Sequence, residues 1–167
     1  PGLMTKFRHA VMPLPKTPED RAQAVLQELG KLKFKGQEHE EPDYPHIEKL
    51  LKAGVAGENA DLYKIGADLI NANQSDLAKT LLAATPNFPV DHAGGKHGAT
   101  LLHWAVLRAD FGVARHLLDR DADVNARTRD GHTPLDIATR RGFSPTATIL
   151  SDMLTPYGAA KSESPAA

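Results

Sequence analysis

Asp91, His92 and His97 are the residues whose types could do coordination chemistry, since a carboxylate and two imidazoles suit a transition metal. They lie in a Gly-rich stretch with no helical register to aim them, so no metal site is expected. A metal-dependent site at His92 and His97 stands only as the rival reading. Glu38, His39, Glu40, Glu41 and His46 form a second acidic and imidazole group, and a solvated loop accounts for it. No nucleophile stands at an intelligible spacing from a base. The chain has no Cys, which removes thiolate zinc sites, disulfides and cysteine nucleophiles. The phosphate-cradling pattern G-x-x-x-x-G-K-[ST] does not occur. The expectation is a protein without catalytic residues and without a cofactor.

The elements that could position a binding surface follow from composition and self-comparison. The 167 residues are 41% hydrophobic and 25% charged with a formal net charge of −1, which suits a folded domain. Aromatics are only 5% while Leu and Ala recur, which favours packed helices over a sandwich of sheets. No stretch approaches the ~20 apolar residues that span a bilayer, so no membrane association is expected. Gly98-Ala99-Thr100-Leu101-Leu102-His103-Trp104-Ala105 realigns with Gly131-His132-Thr133-Pro134-Leu135-Asp136-Ile137-Ala138 at a shift of 33 residues. Leu102, Ala105 and Val106, then Val113 and Leu117, mark two short amphipathic helices. Each is marginal alone, and the small Ala105 and Ala138 let neighbours approach, so the units must stack.

The period and the Thr-Pro-Leu-His-x-Ala wording resemble the ankyrin repeat, and Leu102 to Ala126 resembles one whole unit. The resemblance implies an all-α, ankyrin-like helical solenoid of three to four repeats, two of them degenerate. Leu77-Ala78 and Leu81-Leu82 echo Val113-Ala114 and Leu117-Leu118, with Ala60 to Asn73 as the preceding helix. Thr85 to His97 holds two Pro and two Gly, so an insertion or distorted hairpin is expected there. Ile47, Leu50, Leu51 and Gly54 resemble an outer helix with its glycine stop, its inner helix unidentified. Asp121 replaces the usual glycine where left-handed backbone is required, at about 1 kcal/mol. Thr85 fits that role worse. Asp136 stands where the family has His, whereas His103 keeps it and is expected to bond backbone in the adjoining loop.

By the same resemblance, the family's variable contact positions fall on Lys96, His97, Ala99, Leu107 and Arg108 in one repeat. In the next they fall on Arg129, Asp130, His132, Arg140 and Arg141, with Arg127 beside them. Most are basic, so the expected partner is a protein with an acidic surface. Trp104 either anchors that partner or packs on the neighbouring inner helix. Nucleic acid is not expected, because acid exceeds base overall and no stacking platform is evident. An inhibitor or immunity protein for a specific enzyme is the alternative form of the same binding role. Leu118 through Asn125-Ala126 also resembles the setting in which ankyrin asparagines are hydroxylated, although turn closure explains Asn125 as well.

The ends complete the expected layout. Residues 1–16 read as an extension in which Pro1-Gly2-Leu3 is a cloning remnant ahead of Met4. Residues 17–157 read as one ankyrin-like domain, and 158–167 as a disordered tail. Thr17 as N-cap, Pro18 and the acidic Glu19 and Asp20 start a helix to Lys31 that caps the stack. Ser144-Pro145 opens the last helix, with Ile149, Leu150, Met153 and Leu154 on its apolar face. The expected state is a monomer. Cytoplasmic residence is the default, with secretion left open.

Overall fold

In the computed structural model, residues 13–33, 41–140 and 145–159 are described. The Thr17 hydroxyl accepts the Asp20 backbone N–H at 3.0 Å, Pro18 occupies the first turn, and helix α1 (Pro18–Gly30) follows. Asp43 caps helix α2 (Tyr44–Lys52) by accepting from the His46 N–H at 3.1 Å. Helices α3 (Asn59–Asn71) and α4 (Ser75–Ala84) form the next pair, and α5 (Leu101–Leu107) and α6 (Phe111–Leu118) the third. The last pair is α7 (Pro134–Arg140) and α8 (Pro145–Leu154), the latter followed by a 3-10 turn at Thr155–Tyr157. Ser144 lies outside the described residues. These eight α-helices form the stack, and among the described residues there is no strand beyond a single Gly94–Ala99 bridge.

Each helix presents one apolar stripe, and stacking is what buries it. The inner row is α1, α3, α5 and α7, each packed on the next; α2, α4 and α6 pack in an outer row, and α8 closes on α7. Val25, Leu29, Ile65, Leu69, Leu101, Leu102, Ala105 and Ala138 run through the inner row, all 1% exposed or less. Leu50, Leu51, Leu81, Leu82, Val113 and Leu117 line the outer row beneath them. The two matched sequence phrases therefore do begin adjacent inner helices that bury their apolar sides on one another. The helix expected to cap the stack closes its first end and is also the inner helix missing from the Ile47–Gly54 unit. It was hidden because 13 residues separate α1 from α2, where three suffice between α3 and α4.

The helix ends show which turns the sequence had encoded. Asp121 has φ +58, and Ala122 N–H reaches back to Leu117 C=O at 3.1 Å, so the left-handed stop is kept without glycine. Asn73 (φ +58) and Ala109 (φ +55) end α3 and α5 in the same way. Thr85 does not: it is extended, with φ −124 and ψ 85. Its repeat is closed instead by Arg120, which donates to the carbonyls of Leu82, Thr85 (2.9 Å) and Pro86 (2.7 Å) from the following repeat. At the far end, the Asn125 side-chain amide donates to Gly158 C=O at 3.0 Å. Residues 160–167 lie outside the described residues.

Candidate partner-binding face

Two hairpin tips and two inner helices make the candidate site. In the first tip, Gly94 and Ala99 exchange backbone bonds of 3.1 and 3.2 Å. Gly98 at its base has φ +59, and a Cβ there would stand 3.0 Å from the Arg129 side chain, so conformation and close approach both call for glycine. In the second tip, Thr128 N–H bonds His132 C=O at 3.0 Å, and Gly131 turns the chain with φ +80. Arg129 ties tip to tip: its N–H donates to His97 C=O at 2.9 Å and its guanidinium to Lys96 C=O at 3.0 Å.

His103 holds the second tip onto the inner row. Its Nδ1 accepts the Thr100 N–H at 3.1 Å, which assigns the proton to Nε2, and Nε2–H donates to His132 C=O at 2.9 Å. Burial pushes the His103 imidazole below its ordinary value, and the backbone bonds only partly oppose that. In the last repeat Asp136 stands in the place of His103 in the cap: its carboxylate accepts the Thr133 N–H at 2.8 Å, while Thr133 Oγ1 accepts the Asp136 N–H at 3.2 Å.

Between the tips and helices α5 and α7 lies a groove of about 270 Å³. Ala99, Trp104, Leu107 and Ile137 give it an apolar lining, with His97, His103, Thr128, Asp130 and His132 around them. Trp104 both packs and lines. Its indole N–H donates to the Tyr63 hydroxyl at 2.9 Å, and that hydroxyl donates to Gly94 C=O at 3.4 Å, so the ring is fixed to the preceding repeat. Burial pushes the Tyr63 phenol up, keeping its donor proton. Leu107 is 44% exposed at the groove.

The groove thus gathers His97, Ala99, Leu107, Asp130 and His132 from the contact positions drawn from the family resemblance, together with Trp104, the candidate anchor. Lys96 stands exposed at the first tip, and Arg127 in the loop entering the second. Arg140 is exposed in the last turn of α7, while Arg141 lies outside the described residues. Arg108 and Arg129 also have structural work. Arg108 caps α3 by donating to Asn71 C=O (2.8 Å) and Asn73 Oδ1 (3.2 Å). Ile137, Thr128 and His103 were missed as lining residues, His103 having been assigned only a structural bond. The signal for Ile137 was present, since a shift of 33 from Trp104 lands on it.

The structure does not bring the proposed metal set together. Asp91 accepts the Asp123 N–H at 2.7 Å, the His92 ring packs 5.4 Å from that of Tyr63, and His97 faces the groove. Among the described residues no three His, Asp or Glu side chains converge on a metal position. Among the same residues, no helix is long and apolar enough to cross a membrane.

Comparison with known proteins agrees with this geometry. Residues 87–138 match a family model described as ankyrin repeats in many copies. The chain is 41% identical over 83 residues to the nuclear factor NF-kappa-B p105 subunit of Gallus gallus, covering 49% of the chain and 8% of that protein. It is 42% identical over 62 residues to palmitoyltransferase ZDHHC17 of Danio rerio, covering 37% and 10%. It is 38% identical over 94 residues to the BTB/POZ domain and ankyrin repeat-containing protein COCH of Pisum sativum, covering 53% and 19%. The chain spans less than a fifth of each of these relatives. Residues 87–138 are matched as ankyrin repeats, and the helical stack around them supports an ankyrin-repeat protein; ankyrin repeats are protein–protein interaction modules, generally without catalytic activity.

Proposed function

We propose that this chain is a non-enzymatic binding module that holds an acidic surface of a partner protein against the inner face formed by its third and fourth repeats. The observation that carries this reading is the arrangement of cations around one apolar groove. Lys96 and Arg129 lie at the finger tips, Arg127 leads into the second tip, and Arg108 and Arg140 end the inner helices. Among the described residues Asp130 is the single carboxylate lining the groove. The opposite side of the same stretch mixes Arg115 and Arg120 with Asp119, Asp121 and Asp123, so the near-zero net charge conceals a basic face backed by a mixed one.

The mechanism is rigid presentation. The tips are tied to each other through Arg129 and to the inner row through His103, so docking orders little that is not already ordered. The cations speed encounter with an acidic surface and disfavour basic ones.

The test is double charge reversal at Arg127→Glu and Arg140→Glu, two exposed positions whose side chains clamp no neighbouring repeat among the described residues. Full-length chain immobilised as bait captures its partner from the source organism, and the purified pair is then measured by calorimetry. Two rim charges each shifted from attraction to repulsion should weaken binding by about tenfold, with unchanged helicity. Undiminished affinity rejects this face.

A further inference from the structure

The groove itself narrows the kind of partner, and the following inference rests on the binding role just given. Its volume of about 270 Å³ falls short of the ~300–1,000 Å³ usual for small-molecule sites and suits one large side chain. Its lining of Ala99, Trp104, Leu107 and Ile137 is apolar, and the indole is held in place by Tyr63 before anything binds. The charges stand next to lining residues on two sides: Lys96 beside His97 and Arg129 between Thr128 and Asp130 at the finger tips, Arg108 beside Leu107 and Arg140 one turn past Ile137 at the helix ends.

We infer that the groove receives a single bulky apolar side chain, aromatic or aliphatic, from an extended acidic segment of a partner protein, with carboxylates before and after that side chain meeting the cations on the two sides. The apolar residue supplies the desolvated anchor, and the flanking acids fix its register. Asp130 lines the same space and the rest of its lining is largely apolar, so the anchor position itself is a poor place for a carboxylate. The acids therefore belong beside the anchor and not in its place.

The experiment is selection of short random peptides displayed on phage against the full chain, followed by titration of the enriched synthetic peptide. Trp104 is the only Trp, so its emission reports the groove directly. The expected outcome is enrichment of one large apolar residue with Asp or Glu on both sides, and a shift in Trp104 emission on binding. Replacing the peptide's apolar residue with Ala, or Leu107→Glu in the protein, should each weaken binding by about tenfold or more. Leu107 is exposed enough that the Glu variant keeps its fold, checked by its melting curve.

Failure to enrich any peptide, enrichment without the acid-flanked anchor, or binding indifferent to Leu107→Glu would each overturn the inference. So would emission that changes with protein concentration alone, because a second copy would then occupy the groove. If the captured partner still loses affinity on reversal of Arg127 and Arg140, the binding face stands and only the anchored segment is lost. If it does not, both readings are lost.

Discussion

Replacing His103 with Ala tests how the candidate face is built. The ring is 1% exposed and satisfies two backbone groups at once, the Thr100 N–H at the start of α5 and the His132 C=O in the next finger. Removing it leaves a buried donor and an acceptor unsatisfied at about 1–3 kcal/mol each, and opens a gap as well. A total of roughly 3–5 kcal/mol is a large part of the ~5–15 kcal/mol that keeps a domain folded. Urea unfolding followed by circular dichroism measures the loss. The same residue sets a pH dependence. Because burial depresses the folded-state value below the ordinary ~6.5, the unfolded chain takes up a proton before the native one does. His103 therefore contributes its full stability above about pH 6.5, and that contribution is lost as pH falls from there towards the folded-state value. The Ala variant should show a shallower decline over that window. A variant within about 0.5 kcal/mol of the parent, or a parent that gains stability on mild acidification, refutes the role given to this ring.

Two further changes probe the outer row. Asp121→Gly should raise stability by about 1 kcal/mol, because its φ of +58 costs an L-residue that much, whereas Thr85→Gly should bring no such gain at a φ of −124; differential scanning calorimetry separates the two. Arg120→Met should cost about 1–3 kcal/mol by stripping the carbonyls of Leu82, Thr85 and Pro86 of their donor. Hydrogen exchange in that variant should speed up most at the end of α4, and uniform exchange across the chain would contradict the clamp.

Where local chemistry and tertiary packing agree, the sequence was readable. The phrase from Gly98 to Ala105 and its copy from Gly131 to Ala138 announced two stacked inner helices because small residues, caps and turn glycines all point the same way. Asp121 was legible as a left-handed stop, since one residue type is expected there and another was present. Ala109 was not, because alanine carries no signal for positive φ and only the stack imposes it. The inner role of α1 escaped because a 13-residue connection separates it from α2, and proximity in sequence is what reveals a helical pair. At the site, residue type placed cations near the tips, but their second duty did not show. The Arg108 guanidinium bonds the carbonyl of Asn71, 37 residues back, and that of Arg129 the carbonyl of Lys96, 33 residues back, contacts that no local pattern encodes.

Hydrogen–deuterium exchange of the full chain with and without its captured partner tests the central claim most directly. Protection on binding should fall on residues 96–99, 104–108, 127–132 and 137–140, and the outer helices α4 and α6 should exchange as they do in the free protein. Protection confined to α4, α6 or the Asp119–Asp123 turn, with the finger tips unchanged, would place the partner on the opposite side and contradict the account.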